Sequence, residues 1–169
     1  VRLGYDELRV HAEIDYAGPP LNWVTMPDQF TWSYLENTIR HRADDKPVFA
    51  ELGLISSHAP WTPILEVIDD WSAIGDGRIF ERWADAGERP EELWKDSDRV
   101  REHYARSVAY AVETMGSWAA HHVDDQLMLL ALGDHQPAPL ITGDDAPRTV
   151  PIHVITADAE LLQPFVDWG

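Results

Sequence analysis

The apolar positions of this 169-residue chain follow two rhythms. Between residues 99 and 121, Val100, Tyr104, Val108, Ala111, Val112, Met115 and Trp118 recur every three or four positions, the spacing of one helical face. Asp96, Ser97 and Asp98 precede it with capping oxygens. A second helix is predicted over 29–42, with Phe30, Trp32, Leu35 and Ile39 as its stripe and Asp28, after Pro27, as its N-cap. In 9–16 the spacing changes to alternation: Val10, Ala12, Ile14 and Tyr16 would line one side of a half-buried strand, ended by Gly18-Pro19-Pro20.

Two apolar runs, 48–55 (VFAELGLI) and 127–132 (LMLLAL), have the composition of strands buried on both faces. A further strand is predicted over 150–156. Proline at the first helical position gives up a donor that would be free anyway, so Thr62-Pro63 is expected to open a short helix. Another short helix, 159–163, should stop at Pro164. Residues 44–47 read as the exit loop of the first helix. Residues 71–95, with Gly75, Gly77, Gly87 and Pro90 among scattered tryptophans, read as a long structured loop. Strands alternating with helices predict an α/β fold, layered around a mainly parallel sheet. No internal repeat, low-complexity tract or linker divides the chain, so one domain, or part of one, is expected.

Composition narrows the function classes. Thirteen Lys and Arg against thirty Asp and Glu give a net charge of −17, which repels a phosphate backbone and disfavours nucleic acid as a partner. An anionic substrate would need local positive charge, which a bound cation supplies naturally. The absence of cysteine excludes disulfides, zinc-thiolate sites and cysteine nucleophiles. No run approaches the roughly 18 consecutive apolar residues of a membrane span, and no signal-peptide pattern occurs, so the chain itself is expected to be soluble. It starts at Val1 without a methionine and stops at Trp168-Gly169 with no polar tail, the pattern of a piece of a longer protein.

Candidate chemistry gathers at two strand ends. The 127–132 run stops at Gly133 and delivers Asp134 and His135 to a loop limited by Pro137, where ligands of α/β folds collect. A carboxylate beside an imidazole offers one hard and one borderline ligand to a divalent cation such as Zn or Mn. On its own the pair reads equally as a turn-capping Asp and a loop histidine. The 48–55 run ends likewise in Ser56-Ser57-His58, and there the imidazole would donate a hydrogen bond to an oxygen of the reacting group. Other features have simpler readings. His153 falls in strand periodicity, and His121-His122 suits a helix C-terminus. Asp69-Asp70, Asp124-Asp125 and Asp144-Asp145 read as solvated surface, and the eight tryptophans mostly as core, with Trp61 set apart by its nearness to His58.

LISSHAPWTP (54–63), the helix after it and LALGDHQP (130–137) resemble the carboxyl-terminal half of the sulfatase group in the alkaline phosphatase superfamily. The likeness is greatest to membrane-anchored bacterial members related to lipoteichoic acid synthase. The resemblance runs from about Pro27 to the end, and it makes 1–169 the carboxyl-terminal part of one alkaline-phosphatase-like α/β/α domain. It implies His58 as the substrate-facing histidine, with Pro60 and Trp61 completing its motif, and Asp134 and His135 as ligands of a divalent metal, Mn, Zn or Ca. The Val150-Pro151-Ile152 strand also matches. The implied activity is hydrolysis or transfer of a phosphate or sulfate ester, with the parent on the extracytoplasmic face of a membrane that this chain does not itself enter. The acidic first-strand ligand and the Thr, Ser or modified Cys nucleophile are not found. Thr25, Thr31 and Ser33 do not follow an apolar strand ending in an acid, which puts the nucleophile before Val1 and leaves this fragment inactive alone. The alternative is a non-catalytic acidic binding module built on the same fold.

Overall fold

The computed structural model describes residues 4–41, 46–124 and 126–166. It combines helices with one small antiparallel sheet. Two helical elements carry the frame: α1, Asp28–Tyr34, which runs on into a π-helical stretch Leu35–Arg40, and the long α3, Ser97–His122. Between them lie the 3-10 segments Trp71–Ile74 and Arg78–Trp83 and the short α2, Pro90–Leu93. After α3 come β1, Met128–Leu132, α4, Pro139–Thr142, β2, Ile152–Thr156, and α5, Ala159–Leu162.

The long helix forms as its sequence predicts. The Asp96 carboxylate accepts from the backbone N–H groups of Asp98 and Arg99, two of the four donors a helix start leaves free. Its buried positions, Val100, Ser107, Tyr110, Thr114, Trp118 and Ala119, trace one face. That face differs from the predicted stripe: Val112 is exposed, while Ser107 and Thr114 are buried. Helical geometry puts positions 100, 107, 114 and 118 in one line, whatever their polarity.

The first helix is entered differently from the expectation. Pro27 is its N-cap and Asp28 its first residue; the Asp28 side chain turns away from the helix to bind the backbone of Ile55 and Ser56. Its last turns widen where the Asn37 amide donates to the Ser33 carbonyl at 2.9 Å, the oxygen an ordinary α-helical N–H would use. Of the predicted 44–47 exit loop, residues 44 and 45 lie outside the described residues, as do Asp125 and Trp168.

Three apolar clusters fill the interior. The largest joins Phe30 of α1 and Tyr110 of α3 to Leu21, Met26 and Leu65, and to Ile74, Phe80 and Trp83 from the 71–95 region. A second is built on Trp32 stacked against Trp118, ring centroids 4.6 Å apart, which fastens α1 to α3. The third contains Trp61, Leu93 and Val100. The region read as a loop is therefore a core element: Phe80 is 0% exposed. Its apolar side chains sit on 3-10 turns too short to produce a periodic signal. Gly77 is required there, because its φ is +91° and a Cβ would stand 2.3 Å from the Tyr16 ring. That ring meets Phe30 edge-on at 4.7 Å, and burial pushes the Tyr16 hydroxyl pKa up to about 12.

The strand expectations divide. β1 and β2 form at the predicted places, antiparallel, with Leu130 opposite Val154 and Leu132 opposite Ile152. Residues 9–16 do not form a strand: His11–Glu13 is a 3-10 turn and Val10 is exposed. Residues 48–55 have no ladder partner, and Phe49 is 81% exposed. An apolar run becomes a strand only when a neighbour satisfies its backbone, and no described segment does this for 48–55. A mainly parallel sheet is not seen among the described residues; the sheet has two strands. Nor does Thr62-Pro63 open a helix: the bond is cis, and the Thr62 hydroxyl donates to the Glu88 carbonyl at 2.8 Å. The 159–163 helix is present as α5 followed by the 3-10 turn Gln163–Phe165. Among the described residues no helix is long and apolar enough to cross a membrane.

Candidate functional site

Beyond β1 the chain turns at Gly133, whose N–H donates to the Pro151 carbonyl at 3.3 Å. Asp134 follows; its carboxylate accepts from the His135 backbone N–H at 3.0 Å, so the pair begins as a local turn. The imidazole is then oriented by its other side. Nδ1 stands 2.7 Å from the Gln136 carbonyl, and because a carbonyl only accepts, Nδ1 carries the proton. A neutral His135 therefore has its lone pair on Nε2, which lies 3.6 Å from Asp134 Oδ2. Two ligands bound at about 2.0–2.1 Å to a tetrahedral ion stand about 3.3–3.4 Å apart, so the observed separation is close to that of a chelating pair. A backbone carbonyl fixing the distal nitrogen is the usual second support of a metal-binding histidine. Both side chains are exposed.

The other motif is more elaborately held. The turn ending at His58 is closed by the His58 N–H on the Ile55 carbonyl at 3.0 Å, and clasped from α1 through Asp28 and Ser56. On its far side the Trp61 indole N–H donates to the Ser57 carbonyl at 2.8 Å. Trp61 itself has φ +60° and is buried, stacked on Trp94 at 5.3 Å and meeting Tyr104 edge-on at 5.4 Å. Trp61 is thus a structural wedge under the loop. The His58 imidazole lies outside, with Nδ1 2.7 Å from the Ala59 carbonyl. By the same reasoning Nδ1 carries a proton, so Nε2 donates to an anionic oxygen only when His58 is an imidazolium.

Both loops are anchored on one cluster: Ala59 on one side and Leu140 and Ile141 on the other pack against Trp61, Leu93 and Val100. Arg101 of α3 ties down the second, its Nε donating to the Leu140 carbonyl at 3.0 Å. The structure joins Asp134 to His135. It does not join His58 to them as a metal-binding trio: among the described residues no three His, Cys, Asp or Glu side chains are arranged to hold a metal ion. His153 is exposed on β2, opposite Ala131. The His121 ring hydrogen-bonds the Ser117 carbonyl at 2.7 Å, a helix-end role of the kind expected. Asp70 does more than meet solvent, capping the Trp71–Ile74 turn through Ser72; the bonds from the Ser72 hydroxyl and N–H lower its carboxyl pKa.

Two groupings of side chains have no counterpart in the sequence reading, although His122, in the second, reads there as a helix-end residue. Trp23, 76% exposed, stacks on His58 with ring centroids 6.3 Å apart. Its one signal in the sequence is Asn22, which follows Pro19-Pro20 and takes φ +56°, a conformation asparagine tolerates. The other group centres on the nearly buried Glu36, which pairs with Arg40 at 2.7 Å and His41 at 2.8 Å and lies 3.4 Å from His122. Desolvation lowers the His122 pKa, with Arg40 adding to the effect and Glu36 opposing it. Glu36 and His122 line a cleft of ≈ 440 Å³, and a second of ≈ 370 Å³ opens beside Arg9 and Tyr34. Neither is lined by His58, Asp134 or His135. The two sequence motifs thus stand on open surface, held in shape from below. Comparison with protein-family models, curated proteins and solved structures finds no match.

Proposed function

We propose that this chain is the carboxyl-terminal part of an alkaline-phosphatase-like domain of the sulfatase group, and that the whole domain cleaves or transfers a phosphate or sulfate ester. The observation that carries this reading is the orientation of His135, whose Nδ1 is engaged by the Gln136 carbonyl and whose Nε2 lies 3.6 Å from Asp134 Oδ2. That donor set, one carboxylate and one neutral imidazole, fits a divalent ion of the Mn or Zn type as two of its ligands. A metal held there supplies positive charge to a phosphoryl or sulfuryl oxygen. His58, exposed and stacked on Trp23, meets a further oxygen of the ester through Nε2 when protonated. In a chain of net charge −17, both provide the local positive charge that an anionic group requires.

The remaining ligands and the nucleophile belong, in this reading, to sequence before Val1, in a parent protein on the extracytoplasmic face of a membrane. Strands from that region would pair with 48–55 and extend the two-stranded sheet into a mainly parallel layer. Calorimetric titration of the chain with Zn or Mn tests the core of the proposal. Binding should be weakened at least about tenfold by Asp134→Ala and by His135→Ala, the equivalent of about 1.4 kcal/mol. Metal affinity unaffected by both changes would leave the non-catalytic acidic binding module as the reading.

A further inference from the structure

Asp28 is 0% exposed, a carboxylate placed where an apolar residue would cost the core less. Burial raises its pKa, opposed by bonds from Ser56 and Ile55. What the acid accomplishes is visible in its bonds. One oxygen, Oδ1, accepts from two consecutive backbone donors, Ile55 N–H at 2.9 Å and Ser56 N–H at 2.8 Å. The clasp is reciprocal, since the Asp28 N–H, a free donor at the helix start, is received by Ser56 Oγ at 2.9 Å. Holding two successive N–H groups on one atom fixes two adjacent peptide planes. Those planes open the turn that the His58 N–H closes on the Ile55 carbonyl. From the opposite side Trp61 holds the Ser57 carbonyl, and Trp61's own carbonyl receives the His103 ring nitrogen at 2.9 Å. These ties hold the turn's backbone from α1 and from Trp61, and the His58 ring lies at the surface, against Trp23 and with Nδ1 on the Ala59 carbonyl.

We propose that Asp28 is a positioning residue for His58: through Ile55 and Ser56 it sets the place of the imidazole, so that α1 and the substrate-facing loop act as one rigid piece. This rests on the reading of His58 as the group that meets the ester. The other oxygen, Oδ2, has no hydrogen-bond partner. An asparagine at position 28 keeps an acceptor at the Oδ1 position and puts an amide nitrogen where Oδ2 stands. It should therefore preserve the clasp, whereas alanine removes it.

The test uses the 169-residue chain and NMR of the His58 ring, assigned from its absence in His58→Gln. Stacking on Trp23 shifts the ring protons upfield, and Trp23→Ala calibrates that shift. Asp28→Asn should retain the shift; Asp28→Ala should lose most of it while circular dichroism stays folded, and Ser56→Ala should move the same signals in the same direction. A role confined to stabilising the helix start would lower the melting temperature in Asp28→Ala and leave the His58 shifts in place, which overturns the proposal. If Asp28→Ala does not fold, Asp28→Leu, which fills the buried site without offering an acceptor to the Ile55 and Ser56 N–H groups, takes its place, and unchanged His58 shifts there overturn the proposal equally. Titration with inorganic phosphate then separates the two levels. Phosphate should move the His58 signals of the wild type and of Asp28→Asn at similar concentrations, and those of Asp28→Ala only at about tenfold higher ones. A wild-type His58 blind to phosphate refutes the substrate-facing reading, while the ring shifts still decide what Asp28 does.

Discussion

Phe80→Ala measures whether the 71–95 region is loop or core. Phe80 is fully buried, packed on Trp83 with ring centroids 5.9 Å apart and in one cluster with Phe30 of α1 and Tyr110 of α3. Truncation at such a site removes the transfer free energy of the ring and leaves a cavity, together about 3–5 kcal/mol. With a urea dependence of about 2 kcal/mol per molar, the unfolding midpoint should fall by about 1.5–2.5 M. Phe49→Ala is the internal control: the same chemical change at a residue 81% exposed should alter stability by less than about 0.5 kcal/mol. Equilibrium unfolding in urea, followed by tryptophan fluorescence and by circular dichroism, supplies both numbers. Stabilities are commonly about 5–15 kcal/mol, so the Phe80 variant should remain folded in buffer yet lose a large share of its margin. A loss below about 1 kcal/mol for Phe80→Ala, or equal losses at the two positions, would refute the placement of 71–95 in the core.

Asp28→Asn should change the pH dependence of stability. Because burial raises the folded-state pKa above the ordinary 3.8, wild-type stability from this group is full below 3.8 and declines as pH rises through the raised value. An amide does not titrate and has no such decline, so the variant should gain on the wild type with rising pH in denaturation curves from about pH 3 to 8; a difference independent of pH contradicts this. His122 has the opposite sign: its folded-state pKa lies below 6.5, so its contribution is present above 6.5 and fades as pH falls through the lowered value. His122→Gln should flatten that acid-side slope, and a slope left intact would assign it to other groups. Removing the α3 cap by Asp96→Ala should cost about 1 kcal/mol in thermal or urea unfolding, and no measurable loss would rule out the bonds to Asp98 and Arg99.

What is legible in the sequence is what depends on neighbours along the chain. Asp96 and the apolar stripe after it are local signals, and α3 appears where they place it; β1 and β2 also form where their apolar runs place them, and pair with each other across residues 133–151. Residues 48–55 carry an equally strong strand signal, but pairing is a property of two segments, and the described residues provide no second one. Period-two alternation in 9–16 misleads for the same reason. The 71–95 region reads as a loop because its side chains enter the core from 3-10 turns, where burial leaves no regular spacing. For the site, adjacency carries Asp134 and His135, which meet because they are neighbours. The Asp28 clasp spans 27 and 28 residues and converts a predicted N-cap into a tie between a helix and a loop. Nothing in the spacing of Asp28 and Ser56 announces that link.

The sheet has a colloidal consequence. β1 and β2 pair only with each other among the described residues, leaving an outer row of free N–H and C=O groups on each strand. Leu132 is 63% exposed and its cross-strand partner Ile152 54%. Open edges with apolar side chains are templates for further strands, and mutual repulsion between copies carrying a net charge of −17 opposes their stacking. The range of that repulsion shrinks from about 30 Å at 0.01 M salt to about 10 Å at 0.1 M. Salt concentration, more than protein concentration, should therefore set how long a solution of this chain stays clear.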